Sequence, residues 1–329
     1  MIVIGAGIYG SLIALKLAKN NHNIKLYEKS SILGGSTKYN MWRIHNGYQY
    51  PNKQCMDKSL ITYKQFIDMF PNAITNSKTY YMVANYSKLS AKEYIDYLNN
   101  NNLFYNLANT QVISLLKNYQ MLNNIPAIYE VNELSYDPLK LQQIITEQIM
   151  NEKNITFINE EYDITTNNNN KDIIINTIPK TETTCYEIIY GYLPEKYKDL
   201  CIVIIDGPFM TINTYGDSGL YAIYHVEHSH HTNVPECHIN KDIKPSEYSH
   251  YEEIIKHCND YFNDFDFTYV GSTYTKKLTN PACPNCRHSY VKRDNNILNC
   301  FPGKVGEALY ISDRVVAKVN EMINKLSSF

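Results

Sequence analysis

The sequence predicts an α/β protein with a parallel, Rossmann-like nucleotide-binding sheet at the amino terminus, a β-rich middle that reads as antiparallel, and a return to strand and helix at the end. Three observations carry this. An apolar run from Met1 to Ile4 enters Gly5-Ala6-Gly7-Ile8-Tyr9-Gly10, a G-x-G-x-x-G turn, and Glu28 closes a second apolar strand 18 residues after the last glycine. From Cys185 to about Tyr269, segments rich in β-branched and aromatic residues follow one another at short spacing. Gly303-Lys304-Val305-Gly306 then precedes an amphipathic segment over 307–326 with apolar Leu309, Ile311, Val315, Val316, Val319 and Ile323.

Each element has a local reason. Gly5 permits the tight turn out of the first strand, Gly7 lets backbone approach a pyrophosphate, and Gly10 lets the next helix pack closely on the sheet. The spacing predicts a helix over 11–19, with Leu12, Ile13, Leu15 and Leu17 apolar and its positive end toward the phosphates. Residues 24–27 form the second strand, after which Glu28 can accept both hydroxyls of an adenosine ribose and repel a 2'-phosphate, disfavouring NADP. Strand, turn, helix, strand and acid in this order are a specific signal; the competing reading is a glycine-rich turn that binds nothing.

Gly34-Gly35-Ser36-Thr37 and the polar, aromatic stretch from Asn40 to Pro51 are poor core material and read as a functional loop. Helices are expected over 58–69 and 91–99, around an extended segment at 80–86, with a loop at 99–102. A strand over 125–131 precedes Asp137-Pro138, which opens a helix with Leu139, Leu141, Ile144, Ile145 and Ile149 on or near one face. A short strand at 155–158, a polar turn at 167–170 and a strand at 172–176, apolar enough for burial on both faces, complete this half. Strands at 187–192, 201–205, 209–213 and 220–226 predict the antiparallel sheet, followed by a helix over 248–262 and a strand at 296–300.

The chain has 329 residues, enough for two modest domains or one large one, and a net charge of -2 gives no electrostatic case for nucleic acid or an anionic membrane. The apolar opening lacks the basic leader of a signal peptide, and no run approaches the roughly 20 apolar residues of a membrane span. Eight cysteines lie scattered without the rhythm of a secreted scaffold, so reduced thiols in a cytoplasmic compartment are expected.

The opening turn, Glu28, Gly34-Gly35-Ser36, the Arg43-x-His45-x-Gly47-Tyr48 stretch, the strand at Ile173 and Gly303-Lys304 together resemble the D-amino-acid oxidase and glycine oxidase superfamily of FAD-dependent oxidoreductases. The resemblance implies a discontinuous FAD-binding domain over 1–52, 133–180 and 286–329, with a mainly antiparallel β substrate domain, 53–132 and 181–285, inserted in it. It implies FAD as the cofactor, contacted by Gly5, Gly7, Ile8, Tyr9, Gly10, Glu28 and Lys29 around the adenosine diphosphate. Gly35, Ser36, Arg43, His45 and Asn46 would follow the flavin, and Gly303, Lys304 and Val305 would face its pyrimidine edge, where negative charge develops on reduction. The implied activity is oxidation of a C–N bond of an amino acid or amine, by hydride transfer to flavin N5 from a small-molecule substrate. A flavoenzyme of the UDP-galactopyranose mutase type, which shares the turn, the acid and the His-Gly-rich stretch, stays open, as does a flavin-binding protein that has lost catalysis. Asn176-Thr177-Ile178-Pro179 departs from the family, which commonly shows a small residue and then glycine there.

Arginine is scarce, at Arg43, Arg287, Arg293 and Arg314, and a carboxylate substrate is best held by a bidentate guanidinium. Arg287 is the first candidate and Arg43 the second, each set against a structural ion pair or a cofactor-phosphate contact. His45 and the neighbouring Tyr48 are the remaining candidates for the reacting centre, set against a backbone-bonded histidine and plain packing. Cys283-Pro284-Asn285-Cys286 lacks the second pair of a zinc ribbon. His225, His228, His230 and His231, with Cys237-His238, match no standard metal spacing, so no metal is expected; His225 and Tyr224 instead border the substrate cavity implied by the resemblance.

Overall fold

The computed structural model describes residues 1–49, 53–164, 172–178, 183–232, 242–278 and 289–326. The chain opens with β1 (Ile2–Ile4), α1 (Ile8–Lys19) and β2 (Ile24–Tyr27), then α2 (Lys53–Met69). It continues through β3 (Lys78–Val83), α3 (Ala91–Asn100), β4 (Tyr105–Leu107), α4 (Thr110–Ser114), the short β5 (Met121–Leu122) and β6 (Ile125–Pro126), and β7 (Ile128–Val131). α5 (Pro138–Asn151), β8 (Ile155–Ile158) and β9 (Ile174–Asn176) return to the first sheet. β10 (Thr183–Tyr192), β11 (Leu200–Ile205), β12 (Met210–Thr214), β13 (Tyr221–His225), β14 (His230–His231), α6 (Tyr251–Tyr261) and β15 (Thr268–Leu278) follow. β16 (Tyr290–Asp294), β17 (Ile297–Phe301) and α7 (Ala308–Leu326) close the chain.

Among the described residues, the first sheet has six strands in the order β16-β17-β9-β1-β2-β8, parallel throughout except for the β16–β17 hairpin. β1 and β9 are central and apolar because helices or packed side chains cover both of their faces. α1 lies against α7, with Leu12, Ile13, Val315 and Val319 in one core. α5 starts where expected: Asp137 accepts hydrogen bonds from the N–H groups of Leu139 and Lys140 at 2.8 and 3.1 Å, and Pro138 occupies a first-turn position that needs no donor. Its buried face is Leu141, Ile145 and Ile149, spaced by four.

The second sheet runs β14-β10-β13-β12-β11-β3-β7-β4, with β15 also paired to β10. Its pairings are antiparallel except β11 with β3, which is parallel, in keeping with the expected mainly antiparallel sheet. β3 comes from far upstream, and a strand inserted from a distant segment is free of the hairpin constraint that makes sequential strands antiparallel.

Several boundaries differ from those the sequence predicts; the strand expected over 125–131, for one, is divided into β6 and β7. α1 begins at Ile8, with Gly10 inside its first turn, because a Cβ on Gly10 would overlap the Gly5 carbonyl and only glycine lets the helix begin so close. α2 begins at Lys53 instead of residue 58. β15, the longest strand, goes unread because Gly271 and the lysines around 276 resemble punctuation; Gly271 is required where the Lys244 backbone comes within 2.5 Å of the place a Cβ would take. The polar turn at 167–170 lies outside the described residues.

Candidate active site

The amino-terminal turn has the shape its sequence demands. Gly5 sits at φ +89°, where a side chain is strained, while a Cβ on Gly7 would meet nothing nearer than Thr37 Oγ1 at 4.0 Å, so this face of the turn is open to a ligand. Gly7 caps α1 without any side-chain hydrogen bond, and the Ile8 N–H donates to Thr37 Oγ1 at 3.3 Å. Glu28 is fixed at the end of β2 by the N–H of Ala6 at 2.9 Å and by the N–H and hydroxyl of Ser30 at 2.9 and 2.8 Å. A carboxylate accepts about four hydrogen bonds, so acceptor capacity is left for a diol. A cavity of about 400 Å³ opens beside it, bordered by Ser30, Ile32, Phe157 and Asn159 at the strand ends and by Gln142 and Met150 of α5. The carboxyl ends of parallel strands are where open α/β sheets bind ligands.

The other end of the site is built by long-range convergence. The segment 43–46 is bridged to the chain after β7: Arg43 pairs with Ser135, and the Ile44 N–H donates to Leu134 O at 2.9 Å. This brings a fully buried carboxylate, Glu133, against the loop. Arg43 Nη1 lies 3.2 Å from Glu133 Oε1, the Tyr81 hydroxyl donates to the same oxygen at 2.9 Å, and His45 Nδ1 is 3.6 Å from Oε2, which also accepts from the Asn46 N–H at 3.3 Å. Burial opposes the charge on Glu133, but His45, Arg43 and Tyr81 together hold it below the ordinary carboxylate range. Glu133 escaped the sequence reading, since it stands alone between a strand and a helix and its partners come from two distant segments, the 43–46 loop and β3.

Lys304 closes the site from the carboxyl end. Its carbonyl accepts a short hydrogen bond from Tyr9, whose hydroxyl is also 2.6 Å from Ser289 Oγ, and Ser289 Oγ accepts from the Gly303 N–H at 2.9 Å. Glu307 accepts from the Ser289 N–H at 2.7 Å and pairs with Lys58 of α2 at 3.2 Å. Burial lowers the Lys304 ammonium to about 7, Glu307 acting against this and Arg43 with it. His45 is pushed down to about 4, by burial first, with Lys304 and Arg43 adding to it and Glu133 opposing. A neutral imidazole, a titratable ammonium and an Arg–Glu pair thus influence one another electrostatically.

The fate of each expected residue differs. Gly5, Gly7, Ile8 and Gly10 build the turn from β1 into α1, and Glu28 is fixed to it through the Ala6 N–H. Tyr9 projects away from it and ties α1 to the Lys304 turn. Lys29 is an exposed partner of Glu161 at 3.2 Å. Gly35 has open space where a Cβ would be, and Ser36 Oγ is 3.2 Å from Thr275 Oγ1 of β15. Gly303, Lys304 and Val305 lead into α7 through one short turn. Tyr48, expected at the reacting centre, is instead buried against Tyr81, its hydroxyl donating to Phe104 O at 2.7 Å and accepting from the Asn132 N–H at 3.2 Å. Burial raises it to about 12, which suits packing better than proton transfer. Arg43, the second choice for a substrate carboxylate, is neutralised by Glu133 and carries little net charge to offer. Arg287, Cys283 and Cys286 lie outside the described residues, as do Cys237 and His238.

These residues fit FAD. The turn closes only with glycines yet leaves Gly7 open, and two polar atoms at the loop, Arg43 Nε and Asn46 Oδ1, are buried without a hydrogen-bond partner among the described residues. Ile178, at the point of departure from the family, stands over Gly5: its Cγ1 lies 2.8 Å from the place of a Gly5 Cβ.

Residues 1–140 match the model of the family described as FAD dependent oxidoreductase (DAO). No curated protein sequence matches the chain. Among solved structures, glycine oxidase from Geobacillus kaustophilus superposes with a TM-score of 0.72 at 9% identity, covering 98% of this chain and 94% of that one. The FAD-bound, dithionite-reduced L-α-glycerophosphate oxidase from Mycoplasma pneumoniae gives 0.70 at 12% identity, covering 97% and 94%. L-amino acid deaminase from Proteus vulgaris, lacking its specific insertion, gives 0.64 at 11% identity, covering 94% and 86%. At such identities the likeness is one of fold.

Proposed function

We propose, from a chain whose first 140 residues belong to the FAD-dependent oxidoreductase family, that this protein oxidises the C–N bond of an amino acid or amine. The observation that carries the reading is the buried His45–Glu133–Arg43 cluster, with Lys304 near enough to act on it electrostatically. FAD, when bound, supplies the electron acceptor, taking the hydrogen beside the substrate nitrogen as hydride at N5.

The protein's own part is position and charge. Gly7 and the start of α1 face the diphosphate, Glu28 takes the ribose hydroxyls, and the cavity beside Ser30 and Phe157 receives the adenine. Lys304 places a cation at the start of the last turn, where charge develops on reduction. His45 is neutral at pH 7, and Glu133 positions both it and Arg43. Arg287 remains the guanidinium proposed for a substrate carboxylate, since Arg43 is internally paired. In this reading the substrate is a small molecule, and the domain division stands at 1–52, 133–180 and 286–329 against 53–132 and 181–285. A cytoplasmic setting accords with the free, buried thiols of Cys201, Cys258 and Cys300. Among the described residues no helix is long and apolar enough to cross a membrane.

The test is anaerobic mixing of the FAD-loaded protein with a panel of D- and L-amino acids, N-alkylglycines, simple amines and glycerol phosphate. Bleaching of the flavin band by a nitrogen-bearing member supports the proposal. Bleaching by glycerol phosphate alone, or by none of the panel, removes it.

A further inference from the structure

We propose that His225, His228 and His257 form a binding site for one divalent transition-metal ion of the zinc class. The site lies in the β-rich part, uses none of the residues assigned to the flavin, and does not depend on the proposed function. His225 ends β13, and the turn after it folds back on itself: the Ser229 N–H donates to His225 O at 3.2 Å, and Ser229 Oγ accepts from the His225 N–H at 2.9 Å. This turn returns His228 to His225, with ring centroids 4.6 Å apart. α6 then delivers His257, whose ring centroid is 5.0 Å from that of His225 and 4.4 Å from that of His228. One ligand nitrogen from each ring lies within 4.8 Å of the others, and His225 is buried while the other two are partly so.

An independent observation points to a ligand. Nε2 of His225 and Nε2 of His228 are both buried with no hydrogen-bond partner among the described residues, although buried polar atoms in a folded protein are nearly always satisfied. Burial lowers His225 to about 4 and holds His228 below its usual value, so both rings are in the unprotonated form that binds metal. The frame is tied together as well: His250 at the start of α6 donates from Nδ1 to the His228 carbonyl at 2.9 Å, and Ile254 and Cys258 bury the inner face of the helix.

His225 Nδ1 accepts from two backbone N–H groups, those of Glu227 and His228, each at 3.2 Å, which places its hydrogen on Nε2. Coordination through Nε2 moves that hydrogen to Nδ1 and gives up two long contacts that share a single lone pair. Three imidazoles suit zinc, nickel, cobalt or copper(II) and leave a position for water. The neighbouring group of Glu187, His231 and His250 is the contrasting case. Ser249, Ser272 and Tyr274 hydroxyls donate to Glu187 Oε1, and His231 Nε2 and the His250 N–H approach Oε2 at 3.0 Å, so that carboxylate is already satisfied.

The holoprotein, treated with EDTA and dialysed, is titrated with Zn2+ and separately with Co2+. The expected result is one ion per chain by elemental analysis, and Co2+ d–d absorption on the red side of the flavin bands. His257→Ala replaces a partly exposed helix residue by a better helix former and should weaken Zn2+ binding by more than about tenfold, with flavin content and circular dichroism unchanged. His228→Gln, in the turn, provides a second variant with the same expected loss, and His22→Ala should bind like the parent. Undiminished binding in His257→Ala, the absence of any bound ion, or loss in His250→Ala with retention in His257→Ala would each overturn the proposal, the last by moving the ion to Glu187.

Discussion

Glu133 and Glu187 are both fully buried carboxylates with lowered pKa values, yet they sit in opposite kinds of company. Glu187, on β10, is surrounded by hydroxyls, a backbone N–H and one imidazole, supplied by β15, the turn before α6 and β14. Every contact in the Glu187 cluster joins one segment of the β-rich part to another. Glu133 instead meets a guanidinium, an imidazole and a phenol drawn from the 43–46 loop and β3, and around it Arg43 Nε and Asn46 Oδ1 are left unsatisfied among the described residues. A buried charge closed on all sides by hydrogen-bond donors fastens a fold. One balanced by another buried charge, with polar atoms to spare, holds other side chains ready.

The largest expected effect tests the first half of that contrast. Glu187→Ala strands five donors in the interior and should cost about 3–5 kcal/mol of stability. Thermal unfolding checks it, and substrate bleaching of the folded fraction should be unchanged; a melting shift below about 2 °C would mean that the network fastens nothing. Next, Glu133→Gln should lower kcat/KM by about 100-fold, near 2.7 kcal/mol of transition-state stabilisation. Adding Arg43→Met removes the uncompensated cation and should restore part of the stability but none of the activity. Recovery of both together would make Glu133 a fastener like Glu187.

Lys304 sharpens the comparison through pH. Its ammonium falls to about 7 in the folded protein, against 10.5 ordinarily, so between these values the unfolded chain holds more protons. The resulting destabilisation is fully present below pH 7 and is relieved as pH rises from about 7 to 10.5. FAD-free protein should therefore gain stability across that window relative to Lys304→Met, as denaturant midpoints at several pH values would show. The smallest effect is at the exposed end of the site: Glu28→Gln should weaken FAD binding about tenfold, by fluorescence titration, and barely move the melting temperature of the FAD-free protein.

The turn between β1 and α1 was legible in the amino acids because its physics is local. Gly5, Gly7, Gly10 and Glu28 act through a turn, a helix start and a strand end within one short stretch, and spacing alone fixes their relation. The same holds for α5, where Asp137, Pro138 and the four-residue repeat of Leu141, Ile145 and Ile149 announce a helix. Adjacency of Tyr48 to His45 in sequence says nothing about direction: the two side chains diverge, one into a tyrosine-rich core and the other toward Glu133.

The sequence by itself determined that β1 runs through a glycine turn into α1, that an acid closes β2, and that a glycine-lysine turn precedes the last helix. Only the tertiary structure decided that Glu133 neutralises Arg43, that Tyr9 steadies the Lys304 turn, that β3 joins β11 in parallel, and that His257 reaches His225. Periodicity and capping are set by residues a few positions apart. The balance of a buried charge is set by whichever distant segments the topology presses together, and no local pattern records that choice.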